Sequence, residues 1–251
     1  MTRVLRIGQA LAVPLALLGL WELAAQAGWV NPVFVPAPSR IAEAGYDMLQ
    51  DGGLLEATGE TTVRALLGLL LAIVVAVPVG MLIGASRIAD EVTRPSLEFF
   101  RAMPTVTVIP ALMILVGIGH TLALVAIMFA AVWPILLGAV HGVRGIERTL
   151  VDVARVHRLG PVAATLKVRL PAALPGIVTG VRISLAIALV VALVAEMMTG
   201  NGGLGSLVIE ARSRYRSADV FGIVVVMGVV GLLLNSGMVW LEKRAGLARI
   251  G

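Results

Sequence analysis

Residues 102–143 read AMPTVTVIPALMILVGIGHTLALVAIMFAAVWPILLGAVHGV, without one Asp, Glu, Lys or Arg. A helix that crosses a bilayer needs about 20 mostly apolar residues, so this run is long enough for two crossings and must reverse on itself. Gly117-Ile118-Gly119-His120 is the place in it with turn chemistry, which predicts spans over Pro104–Val116 and Thr121–Val143. Working outward, Ala65–Ser86 is charge-free, Ile177–Met198 is interrupted by Arg182, and Val220–Leu241 is again charge-free. Near the start, Ile7–Ala27 is apolar apart from Glu22. The pattern predicts an all-α integral membrane protein with six transmembrane helices.

Composition agrees. The 251 residues are 59% hydrophobic with a mean hydropathy of +0.98, against roughly half apolar in soluble domains. The net charge of +5 does not point to nucleic acid, because the basic residues lie between apolar blocks instead of forming one tract. Without cysteine, disulfides, thiolate metal sites and cysteine nucleophiles are excluded. Basic loops resist translocation. Arg87, Arg94 and Arg101, then Arg144 to Arg169, then Lys243, Arg244 and Arg249 fall on alternate connections, so both termini are expected in the cytoplasm. The outer loop is acidic, with Glu43, Asp47, Asp51, Glu56 and Glu60; Arg212, Arg214 and Arg216 are the dissenting outer cluster.

Arg3 and Arg6 before an apolar run, followed by Ala25-Gln26-Ala27, imitate a cleaved signal. The run is too long for that, and Trp21 and Glu22 sit where a signal is usually plain, so a retained first span is expected. Val35-Pro36-Ala37-Pro38-Ser39 reads as a rigid extended lead-in to the outer loop. The chain then divides into a first span with its outer loop (1–61) and a five-helix core (62–251).

Arg144–Pro175 is too polar to lie in lipid. Ile146, Leu150, Val153, Ala154 and Val156 fall near helical spacing with charges between them. Leu159-Gly160-Pro161 breaks that pattern, and Pro161 suits the first position of a second short helix with Gly160 as its N-cap, ending near Leu170-Pro171. Periodicity alone fits both a rigid helix pair near 146–170 and a solvated connection.

Asp152-Val153-Ala154, with Val168 and Leu170-Pro171 at the right distances, resembles the Glu-Ala-Ala-x3-Gly-x9-Ile-x-Leu-Pro motif of binding-protein-dependent ABC importer permeases. Further pieces resemble the nitrate, sulfonate and taurine branch: Val35 to Ser39, Arg101-Ala102-Met103-Pro104 with Ile109-Pro110, Leu170 to Arg182, and Ala195-Glu196-Met197 with Gly202-Gly203-Leu204-Gly205. The resemblance implies a type I importer permease (MetI-like) fold in the bacterial inner membrane. It also implies a permease subunit that forms the substrate pathway and works by alternating access. A separate ABC ATPase would bind ATP and Mg, an extracytoplasmic solute-binding protein would deliver a small oxyanion such as a sulfonate, taurine or nitrate, and a second copy of the chain would complete the pathway. It assigns ATPase coupling to Asp152, Val153, Ala154, Arg155, Arg158, Gly160, Leu170 and Pro171, with Ala154 pressed against the ATPase. Arg158 stands where the motif has Gly, so either Arg158 adopts a left-handed conformation or the turn moves to Gly160.

No lysine here follows a glycine, so no phosphate-binding Gly-Lys-Ser/Thr loop exists and ATP hydrolysis, an enzymatic step, is expected on another chain. His120, His141 and His157 are too scattered for a metal site. Charges inside spans cost about 2.5–3.5 kcal/mol on insertion scales. Arg64 and Glu196 lie near span ends, where Glu196 could gate the pathway or hydrogen-bond the Gly-rich loop; Arg182 could meet an anionic substrate or snorkel. An ion-gradient-driven transporter or channel is the rival, and it predicts paired intramembrane carboxylates or helices broken at mid-depth.

Overall fold

A computed structural model describes residues 2–244, the side chains of residues 2–11, Arg148 and Arg155 excepted. Every regular element in them is helical: α1 (Thr2–Gln26), α2 (Pro38–Gln50), α3 (Gly53–Ala85), α4 (Arg87–Ala102), α5 (Thr105–Val116), α6 (His120–Arg144), α7 (Arg148–Val156), α8 (Pro161–Ala164), a π turn (Thr165–Arg169), α9 (Leu170–Thr199), α10 (Gly203–Ser213) and α11 (Ser217–Arg244).

Four of the six expected spans stand as helices long and apolar enough to cross: α3, α6, the continuous stretch Pro161–Thr199, and α11. The count of six is not reproduced. The expected span Pro104–Val116 is α5, 12 residues rising about 18 Å against a hydrocarbon core of about 30 Å. It joins α4 at a bend of 95°, and the two together make at most a fifth crossing. The bend has a local cause: Met103, forced out of the helical region by the following proline, is extended at ψ 125°, and so is Pro104 at ψ 112°. In α1 the apolar part with described side chains, Ala12–Gln26, is shorter than one crossing.

The reversal falls where turn chemistry placed it. Gly117 at φ 81° and Gly119 at φ 158° separate α5 from α6. Two further helices, α2 and α10, had no clear sequence signal. Of the expected extended lead-in, Ala37 is extended at ψ 145°, while Val35 sits in a bend with its N–H on the Asn31 carbonyl and Pro38 is already the first residue of α2; Glu22 of α1 satisfies one free amide there, accepting from Ser39 N–H at 3.0 Å and Ser39 Oγ at 2.8 Å. That pairing explains the lone carboxylate of the first apolar run. The boundary drawn between 61 and 62 falls inside α3, which runs unbroken from Gly53.

The core is α6 held between α3 and α9. Lipid offers helices no hydrophobic drive to associate, so close backbone approach must supply the contact. Gly80 on α3 faces Ala139 and the Leu136 carbonyl of α6 with no room for a methyl group, and Gly84 meets the Val140 carbonyl likewise. Gly138 of α6 lies against Gly176 of α9, and Gly142 against Ala173. Alanines and branched aliphatic side chains share the rest: Ala65, Ala72, Ala126, Ala131, Ala188 and Ala192 are fully buried, beside Ile127, Ile135 and Leu136. Ser184 donates to the Ala131 carbonyl at 2.7 Å, so this buried hydroxyl is satisfied.

Candidate coupling loop and charged sites

The loop after α6 folds as two short helices. α7 ends in a Schellman closure: Leu159 N–H donates to the Ala154 carbonyl and His157 N–H to the Val153 carbonyl, both at 3.0 Å. The closing residue is Arg158, at φ 50°. The left-handed turn therefore stays at the motif's glycine position and is occupied by arginine. Gly160 has an ordinary φ of −62° and is the N-cap of α8, with Pro161 at its first position.

The second helix does not stop at Leu170-Pro171. It passes through the π turn, where Leu170 N–H reaches back five residues to the Thr165 carbonyl, and continues as α9. A proline ring would clash with the carbonyl four residues earlier; the wider π turn just before Pro171 removes that conflict. The coupling segment and the span are consequently one helix.

Ala154 is 7% exposed, buried by its own chain, and it lines with Val151, Leu159, Pro161 and Ala164 a cleft of about 240 Å³ between the two short helices. The outward surface is instead Leu150, Val153 and Val156 on α7 with Val162 and Leu166 just after it, Val156 being 80% exposed. Asp152 lies on the exposed side of α7. The side chain of Arg155 lies outside the described residues. Leu170 packs on the main core while Pro171 is exposed.

On the opposite end of α9, Arg64 and Glu196 meet. Arg64 Nη1 donates to Glu196 Oε1 at 2.6 Å, and Nη2 donates to the Asn201 carbonyl at 2.7 Å and to Glu60 Oε2 at 3.2 Å. Glu196 Oε2 also accepts from Thr61 Oγ1 at 2.8 Å and from Gly205 N–H at 3.0 Å, and Thr61 Oγ1 accepts from Leu204 N–H at 2.8 Å. Glu196 is 1% and Arg64 7% exposed. Carboxylate and hydroxyl thus take up the free amides at the start of α10, where an anion is favoured by the helix dipole. A methyl group at Gly203 would strike the Glu196 carboxyl, and one at Gly202 the Glu60 carboxyl.

Both partners were visible separately as charges near span ends. Their pairing was not, because 132 residues separate them; the usable signal was opposite charges at matching depth. Arg182 is likewise paired, with Glu242 of α11. Asp90, 4% exposed, accepts from Arg94 at 2.6 Å and Arg144 at 2.5 Å, tying α4 to the end of α6.

Residues 68–246 match the family described as "binding-protein-dependent transport system inner membrane component". The chain is 30% identical over 236 residues to the "putative aliphatic sulfonates transport permease protein SsuC" of Bacillus subtilis strain 168, covering 94% of this chain and 86% of that one. It is 27% identical over 237 residues to the "nitrate import permease protein NrtB" of Leptolyngbya laminosa, covering 91% and 84%. Its fold is similar to a chain of the inward-facing MetNI methionine ABC transporter, with a TM-score of 0.69 at 22% identity over 78% of this chain and 97% of that one.

Proposed function

Because the chain belongs to the family of binding-protein-dependent transport system inner membrane components, and is the permease of an ABC importer and not an enzyme, we propose that it pairs with a second copy and carries a small oxyanion across the inner membrane. The ATP and its Mg²⁺ are held by a separate ATPase, one beneath each copy. A solute-binding protein delivers the substrate from outside, and both termini of the chain face the cytoplasm. The sulfonate and nitrate named for the relatives support the oxyanion, since both are small singly charged groups with oxygen acceptors.

The observation that carries the reading is the exposed apolar surface of the helix pair, Leu150, Val153, Val156 and Val162, on a segment continuous with a span. In a segment too polar for lipid, such a surface fits a groove on a protein partner. ATP-driven closure of two ATPases would draw the two helix pairs together. The helix through Pro161–Thr199 would tilt, and the pathway between the copies would open outward. Asp152 and Arg158 supply polar contacts at the rim of that docking surface, and Gly160 with Leu170 and Pro171 set its link to the span.

Co-expression with the neighbouring ATPase and mass measurement of the purified complex test this. Two copies of each chain, with ATP hydrolysis raised by the binding protein and its oxyanion, are expected. A permease that purifies alone, or that transports without ATP, defeats the proposal. A reporter after Arg169 should read cytoplasmic, and one within Asp47 to Glu60 extracytoplasmic.

A further inference from the structure

The helix that begins at Pro161 in the coupling segment runs to Thr199, 39 residues, about 58 Å at 1.5 Å per residue. This exceeds the roughly 30 Å hydrocarbon core. A displacement of α8 is therefore carried to the opposite face by a single rod. What the rod holds there is α10. The N-cap of α10 is Gly202, which has no side chain to offer; its free amides are met by Glu196 of α9 and Thr61 of α3.

Apolar packing alone would seat α10. Leu204 and Val208 already lie in a buried cluster with Leu54, Ala57 and Ile223. A buried ion pair adds little stability over apolar packing, but it accepts one geometry only. Here every charge is met: the Glu196 carboxylate accepts three hydrogen bonds, the Arg64 guanidinium donates three, and the facing glycines leave no slack. On the reading of the chain as an importer permease, we infer that Glu196 and Arg64 are positioning residues of the transport cycle. They fasten α10 to the outer end of α9, so that α10 travels with that helix as one body when the coupling segment moves.

Spin labels at Val190→Cys on α9 and Glu210→Cys on α10 replace exposed side chains in a chain without native cysteine. They are measured in the complex with its ATPase, diluted with unlabelled chain, both nucleotide-free and trapped with ATP and vanadate. A single label at Lys167→Cys, exposed beside the docking surface and not part of it, follows the approach of the two coupling segments. The expected result is that the Lys167 labels approach on trapping while the α9 to α10 separation stays narrow and unchanged. In Glu196→Gln that separation should broaden and become nucleotide-dependent, with ATP hydrolysis kept within about twofold; Thr61→Ala, which removes the hydrogen bonds of one hydroxyl, should do the same more weakly. A change of the native α9 to α10 distance on trapping overturns the inference. So does a Glu196→Gln or Thr61→Ala distribution as narrow as the native one. Lys167 labels that fail to approach sink the importer reading itself, and this inference with it.

Discussion

The two ends of the helix Pro161–Thr199 are built in opposite ways. At the Thr199 end a carboxylate, a guanidinium, a hydroxyl and the backbone amides of α10 close on one another, and glycines bring the backbone within reach. At the Pro161 end the backbone departs from regular geometry, with a left-handed arginine and a π turn, and apolar side chains stand exposed. The first end satisfies all its polar groups from within the chain. The second leaves an apolar surface exposed. On the proposed function, strain and exposure gather where force would be received, and saturation of hydrogen bonds gathers where position would be kept.

Substitutions can break this contrast, ranked here by their effect on the stability of the isolated chain. Glu196→Ala leaves the buried Arg64 guanidinium with the longer contact to Glu60 and the Asn201 carbonyl alone and should cost about 3 kcal/mol, the low end for breaking a buried pair, seen as a fall in the unfolding midpoint in detergent. The double substitution Glu196→Met with Arg64→Met should recover much of that loss. Gly203→Ala places a methyl group against the Glu196 carboxyl at a φ of 77°, and about 1–3 kcal/mol is expected from overpacking. Arg158→Gly removes a side chain from a left-handed position and should stabilise by up to about 1 kcal/mol. Arg158→Val should destabilise, since β-branching resists that conformation. Val156→Asp with Val162→Asp should leave the midpoint within about 0.5 kcal/mol, as surface changes do, yet abolish recovery of the ATPase on affinity purification. If the pair Val156→Asp, Val162→Asp unfolds the chain, the Pro161 end is a core and the contrast fails.

Much of this was legible from the residues. Charge-free length located α3, α6 and α11, an apolar run broken by Arg182 located α9, and the pair Gly117 and Gly119 located the reversal, because each depends only on neighbours in sequence. Pro161 as a helix start is equally local. The short α5 was visible as a run of apolar residues but not as half of a bent pair: Met103-Pro104 marks a break in the helix, while the angle of the break has no sequence signature. α10 was missed because its capping groups come from Thr61 and Glu196 and not from its own flank. The second coupling helix was expected to end at Pro171, and a π turn, which has no sequence signature, carried it through. The burial of Ala154 under Leu159 and Pro161 follows from the closed turn at Arg158, whose conformation sequence alone left open between two residues.

The contacts of α6 with α3 and α9 have a consequence for how the chain can change over generations. At their closest points they are made by the smallest side chains available, glycine against glycine at 138 and 176 and glycine against alanine at 142 and 173. A core of leucines can be altered by trimming one residue and enlarging its neighbour. At these points every replacement adds volume, and the facing residue has none to give back. Substitution should therefore be tolerated best on the exposed side of α11, where leucine and valine can be exchanged freely. A saturation library scored for membrane expression should show a sharp boundary, with the three central helices intolerant along their shared faces and α11 permissive along most of its length.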